Sequence, residues 1–459
     1  MHISIILTLF VFENAIQLTN QQFLIYVPRL SNRIRYTFKL IFNELLGLKY
    51  TLTDNAREFI PYTGPKFSYA FHPVADELFI CAKQFLFETG LKDQEIQVVK
   101  YKDMPVFFST SRFSALPFDP FAASFYMVSR YEEYLPTIYD AHHRFEAHQS
   151  LAYTGGFIQQ PVVNKWVYEL RDVLAEKYPD LRFAKRQYKY ISTIDIDNAW
   201  AFRQKGAVRT IGGYLKSIYE LDFKAVVQRT KVLLGLERDP YDTYAFQIDI
   251  QKKYNLKTLY FILFASYGKN DKNVPITSKK FCELIKSISD HAEVGIHPSY
   301  GSNYDQNRLA KEVWRLSKVL NREITKTRQH FLKLSFPETY HHLIELGLTD
   351  DYTMGFASEI GFRAGICDSF YFYDLDLEAE TKLRVHPFQV MDASLRYYMK
   401  VDVDDAINKI KPIIDEIKKV DGTFMSLWHN ESLSNVSPWE GWRNVYEQTV
   451  MEAVSPLSK

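Results

Sequence analysis

From Tyr188 onward the sequence switches repeatedly between short apolar runs and longer stretches of helical period, and this alternation restricts the fold more than any other feature. Strands are expected over 188–192, 258–264, 292–296, 326–334, 351–355, 384–392 and 423–430. Between them the spacing predicts helices over 246–254, 277–289, 307–320 and 404–419, the last strained by Pro412. A further helix starts at Pro337, beside Glu338, and stops at Gly347. Strands and helices alternating on this scale imply a parallel sheet, open or closed into a barrel, with its chemistry at the C-terminal strand ends.

The first of these strands runs into Thr193-Ile194-Asp195-Ile196-Asp197-Asn198. Side chains two apart on a strand share a face, so both acids can enter one cavity. Two like charges buried together need a cation or a shared proton. The pair is therefore either a metal-plus-base site or a solvated strand end. His297, His330 and His429 also fall at or near the ends of strand-like runs.

The N-terminal part reads as a smaller α/β domain over 1–185, ahead of a second domain over 186–459. Its signals are a strand at 23–27, a helix over 32–46 with Ile34, Phe38, Ile41 and Leu45 on one stripe, and helices over 121–134 and 161–177. A turn at Pro179-Asp180 and the pair Lys185-Arg186 close it. Within the second domain, residues 201–239 form a helical insert rich in Lys and Arg. A basic amphipathic insert of this kind can touch a membrane surface or a lipid-linked substrate; a solvated helical pair is the other reading.

Net charge is +1, which gives no drive towards nucleic acid. Aromatics reach 15%, which suits either a sugar-lined cleft or an aromatic core. Three well-separated cysteines, Cys81, Cys282 and Cys367, make neither a disulfide framework nor a thiolate metal site, in keeping with a reducing, cytoplasmic setting. The apolar start at 1–12 lacks a basic n-region and a cleavage site, and reads as a strand or N-terminal extension, with a malformed signal or anchor as the alternative. Oligomeric state is not legible.

Residues from about 188 to 440 resemble the polysaccharide deacetylase family of metal-dependent carbohydrate esterases. Thr193-Ile194-Asp195-Ile196-Asp197 is similar to its first motif, Glu293-Val294-Gly295-Ile296-His297 to the start of its second, Arg328-Gln329-His330-Phe331 to its third, and Leu427-Trp428-His429 to its Leu-x-His. The resemblance implies a distorted (β/α)7 barrel that removes acetyl groups from an acetylated sugar or polysaccharide precursor, with a metal-activated water as nucleophile. It carries Asp195 over as base, His429 as general acid, and Asp197 and His297 as metal ligands. The second motif histidine is missing, because Gly301 stands in its place. His330 is expected to supply the third ligand, with Ser299, Tyr300 and Asn303 as weaker choices; otherwise His330 is a core histidine bonded to Asp351 or Asp392.

Arg328 is expected to hold Asp195 ionised through a bidentate contact. Leu427 and Trp428 would line the acyl side, and Asp351 and Asp392 would orient ligands from behind. Arg363, set between Gly361 and Gly365, reads as a substrate-side group on an exposed loop. The cofactor is a divalent metal, Zn2+ ahead of Co2+, Ni2+ or Fe2+, and the partner an acetylated glycan or glycan precursor. The alternatives are an amidohydrolase acting on a non-sugar C–N bond and a catalytically silent glycan-binding barrel.

Overall fold

The computed structural model describes residues 22–457, so the reading of the apolar start falls outside the described residues. The chain separates into two compact units. The first holds residues 22–131 together with 162–186 and 373–380; the second holds 132–161, 187–372 and 381–457.

The first unit carries a parallel sheet of β1 (Phe23–Tyr26), β2 (Tyr50–Thr53), β3 (Lys66–Ala70) and β4 (Leu78–Cys81) in the order β2-β1-β3-β4. The helix predicted over 32–46 is α-helical only over Asn32–Phe38 and widens to a π-helix over Lys39–Leu45. Asp119 caps the helix Pro120–Val128 by accepting from the amides of Phe121 and Ala122. That helix ends at Val128, short of the predicted 134, and a separate turn follows at Tyr131–Glu133. Phe38, Phe42, Phe67, Tyr69 and Phe121 pack ring on ring, with Phe38 and Phe121 centroids 4.5 Å apart. In this unit, then, the aromatic richness serves the core. A small hairpin, β5 (Val99–Tyr101) and β6 (Met104–Val106), completes its strands among the described residues.

The second unit is built on β7 (Lys189–Ile196), β8 (Lys257–Leu263), β9 (Glu293–His297), β10 (Lys326–Thr327), β11 (Asp350–Asp351), β12 (Phe370–Asp374), β13 (Ala379–Val385), β14 (Val390–Met391) and β15 (Thr423–His429). Their order is β12-β13-β11-β10-β9-β8-β7-β15-β14, and every pairing from β13 to β14 is parallel. Helices Tyr244–Lys253, Lys279–Ser289, Gln306–Leu320 and Glu338–Glu345 link consecutive strands from β7 to β11. Ser278 and Asp305 cap two of them. The fold class is thus α/β, as expected.

The expected closed barrel does not appear in the strand pairing: β12 and β14 are the two ends of an open sheet. The reason lies in three strands that are only two residues long. The run 326–334 leaves the sheet after Thr327, and Phe331 and Leu332 then turn it through positive φ of 60° and 55°. The runs expected at 351–355 and 384–392 likewise pair only at Asp350–Asp351, Ala379–Val385 and Val390–Met391.

β7 lies between β8 and β15 and is covered on both sides, which fits its apolar run. Ile194 and Ile196 point to one face and are fully buried; Thr193, Asp195 and Asp197 follow the other. Parallel pairing brings the carboxyl ends of β7, β9, β10, β14 and β15 to one rim of the sheet, where the acids and histidines stand.

Candidate metal centre

Four side chains converge at this rim. Asp197 Oδ1 lies 3.3 Å from His297 Nε2, and its Oδ2 lies 3.5 Å from His330 Nε2 and 3.9 Å from His429 Nε2. One donor atom each from Asp197, His297 and His330 falls within 4.8 Å of the other two. His297 ends β9, His330 stands in the turn after β10, and Asp197 follows β7.

Each imidazole is fixed from behind through Nδ1. His297 Nδ1 donates to the Arg328 carbonyl. His330 Nδ1 meets Asp271 Oδ1 at 2.9 Å, and His429 Nδ1 meets Asp392 Oδ1 at 2.7 Å. A carbonyl can only accept, so neutral His297 carries its proton on Nδ1 and turns a lone pair at Nε2 towards Asp197. The Asp271 and Asp392 carboxylates impose the same tautomer on the other two.

Asp195 is held from the side. Arg328 Nη1 donates to its Oδ1 at 2.7 Å, Nη2 donates to Thr193 Oγ1 at 2.8 Å, and Nε donates to the Tyr352 carbonyl at 2.9 Å. The expected bidentate clamp on Asp195 is therefore a fork shared by two β7 side chains that lie two residues apart on one face. The guanidinium is fully buried and lies 4.5 Å from the Phe261 ring centroid. Asp195 Oδ2 stays on the His297 side, 3.7 Å from Nε2.

The charges favour a cation. Burial pushes the Asp197 carboxyl up, yet the His330 and His297 imidazoles facing it outweigh that and hold it well below the usual carboxylate range. Burial works against charge on His330, but Asp197 and Asp271 bring it up to about 9. His429 is likewise brought up, to about 10, by Asp392 first and by Asp197 and Asp195 behind it. Asp197 Oδ1 is buried without a hydrogen-bond partner. One carboxylate and two imidazole nitrogens around a shared gap, with carboxylates that draw positive charge onto the imidazoles, is a donor set that fits a divalent ion and leaves a coordination position open.

A cavity of about 220 Å3 opens over the cluster. Its apolar wall includes Leu332, Met391, Leu427 and Trp439, and Arg144 reaches it from the 132–161 segment. Leu427 faces this cavity as expected. Trp428, one residue on, points to the opposite face of β15, fully buried against Tyr446, and does not line it. Asp392 stands behind His429 as expected, whereas the Asp351 carboxylate accepts from Tyr340, from the Thr353 amide and from the Thr353 hydroxyl, and bonds no site histidine. The alternative partners considered for His330, Asp351 and Asp392, give way to Asp271.

Arg363 is not on an exposed loop. It is 2% exposed, donates through Nε and Nη2 to the Glu133 carboxylate at 2.8 and 2.5 Å, and donates through Nη1 to the Gly355 carbonyl. Gly361 serves close packing instead: it sits at φ 140°, and a Cβ there would lie 2.3 Å from the Ile158 carbonyl oxygen. Arg363→Ala would strand Glu133 in the interior and should cost about 3–5 kcal/mol, read as a lower urea midpoint with metal content unchanged.

Two residues escaped the sequence reading. Asp271 stands in the loop after β8, at the same rim, and the signal was an acid in the stretch Gly268-Lys269-Asn270-Asp271. Glu431, two residues beyond His429, lines the cavity, and burial followed by the Asp197 charge raises its carboxyl. Asp271→Ala should weaken metal affinity about 10–100-fold by freeing the His330 ring, measured by chelator competition, with activity recovered at saturating metal.

Residues 23–179 match a family model described as a family of unknown function, DUF7033. No curated protein matches the chain. Among solved structures, a Mycobacterium smegmatis protein assigned to the polysaccharide deacetylases is similar at 13% identity, over 59% of this chain and 85% of that one, with a TM-score of 0.39. An allantoinase is similar at 8% identity over 60% and 87%, with a TM-score of 0.36. A CE4 family pseudoenzyme from Bacillus anthracis is similar at 12% identity over 59% and 66%, with a TM-score of 0.25.

Proposed function

We propose that the second unit is a metal-dependent hydrolase that removes acetyl groups from an acetylated sugar or glycan precursor, and that its open sheet is a variant of the distorted (β/α)7 barrel. Asp197, His297 and His330 would hold the ion, Zn2+ being the best match to one carboxylate and two imidazoles. Bound there, a divalent ion polarises an acyl carbonyl and acidifies water.

The remaining groups have separate tasks. Asp195, with Oδ1 committed to Arg328, takes a proton at Oδ2. His429, oriented by Asp392, gives a proton from Nε2 to the departing amine or alcohol. Leu427 and Met391 receive the acetyl methyl group.

The observation that carries this reading is the division of labour around one gap. Three imidazoles are each anchored at Nδ1 with Nε2 turned inward, and a second acid is reserved by a buried arginine. An acetate-release assay on acetylated oligosaccharides tests it. Activity should vanish when a chelator strips the metal and return when Zn2+ is added. A metal-loaded protein that binds these sugars and releases no acetate would overturn the hydrolase reading.

A further inference from the structure

The two-helix insert, Ala207–Tyr219 followed by Phe223–Leu233, is built inside out. Along the first helix Val208, Ile211, Leu215 and Tyr219 recur every three or four residues and face solvent, Val208 85% and Tyr219 90% exposed. Phe223, Val227 and Leu234 continue the outward row along the second, and Leu221 and Leu236 extend it at the two turns. The inner side is mixed: Val232 is buried there beside polar groups. Arg229 lies over Tyr214 and Phe202, at 5.4 and 4.8 Å from their centroids, and the Tyr214 hydroxyl meets Thr230 Oγ1 at 2.9 Å. Arg209 ties the first helix down through the carbonyls of Lys272 and Asn273.

Exposed apolar side chains scattered singly are ordinary, but here they are concentrated: 11 of the 27 large exposed hydrophobics among the described residues fall within 208–236. Charge is concentrated in the same place. Residues 203–238 hold eight Lys and Arg against three Asp and Glu, in a chain whose total is +1. Lys224 and Lys231 flank the apolar row of the second helix. A second copy of the hairpin would bring like charge against like charge, whereas an anionic surface complements it. No helix among the described residues is long and apolar enough to cross a membrane, so such contact is peripheral.

We propose that the hairpin 207–236 rests on an anionic lipid surface, its outer row sunk to the headgroup boundary and its lysines on headgroup phosphates. An open cavity of about 1310 Å3 lies against it, lined by Lys205, Arg209, Lys224 and Lys231 together with Asp222 and Glu237, and Asn198, next in sequence to Asp197, forms part of its wall. This inference stands apart from the acetyl-removing chemistry and is tested without it.

The test is flotation of the full chain with phosphatidylcholine vesicles, with and without phosphatidylglycerol. The protein should float only with the anionic vesicles and detach at high salt. Ile211→Glu with Leu215→Glu, and separately Lys224→Glu with Lys231→Glu, should each cut the bound fraction about 10-fold or more, with thermal midpoint and metal content unchanged. The proposal is overturned if the wild type ignores anionic vesicles or if both double variants bind as it does. It is also overturned if light scattering finds a dimer that Ile211→Glu with Leu215→Glu splits, which would give this face to a second copy.

Discussion

Asp195→Asn should keep its metal and lose about 10²–10⁴-fold in kcat/KM for acetate release. Asn fills the same volume and can still accept from Arg328 Nη1 through its amide oxygen, so the fork that joins Asp195 and Thr193 survives. What it cannot do is take a proton at the second atom, the one that stands 3.7 Å from His297 Nε2. The three prospective ligands Asp197, His297 and His330 are untouched, and bound metal should remain stoichiometric by elemental analysis. Full activity in Asp195→Asn would remove the base role from this residue and pass it to Glu431, which also lines the cavity. Lost metal together with lost activity would instead make Asp195 a ligand.

How much of this could be read in the chain depended on whether the signal was local. The i, i+2 acids were legible because a strand has period two, and β7 keeps that period through Asp195. His297 and His429 were legible because each closes an apolar run that became a strand, β9 and β15. The run 326–334 misled, because its apolar character belongs to a turn: nothing in Phe331 or Leu332 announces a left-handed backbone, which is rare outside Gly, Asn and Asp. Yet that turn is what swings His330 inward.

Arg363 misled in the opposite sense. Flanking glycines signalled an open loop, but the arginine's partner, Glu133, lies 230 residues earlier, and a pairing of that range leaves no local trace. The insert shows the same limit. Its helical period and its basic residues were visible, but the direction its apolar side faces is a property of the tertiary structure alone.

His330→Ala should weaken metal binding by more than about 100-fold and abolish acetate release at trace metal. The bound is set by its own support: loss of an outer partner such as Asp271 costs about 10–100-fold, and loss of the ligand itself must cost more. Removing the ring leaves Asp197 and His297, one oxygen and one nitrogen, short of the three protein ligands that a catalytic zinc site uses. His429 is not placed to compensate. Its Nε2 stands 3.9 Å from Asp197, further than the 3.3 and 3.5 Å of His297 and His330, and it is not one of the three donors grouped within 4.8 Å of one another. In the apo form the variant gives up the attraction of His330 for the Asp197 and Asp271 carboxylates, so a thermal midpoint that falls while unfolding stays cooperative marks a lost ligand, and a lost cooperative transition marks a lost fold. Wild-type metal affinity in His330→Ala would return this histidine to a packing role and leave the chain without a third protein donor at the position where Gly301 stands.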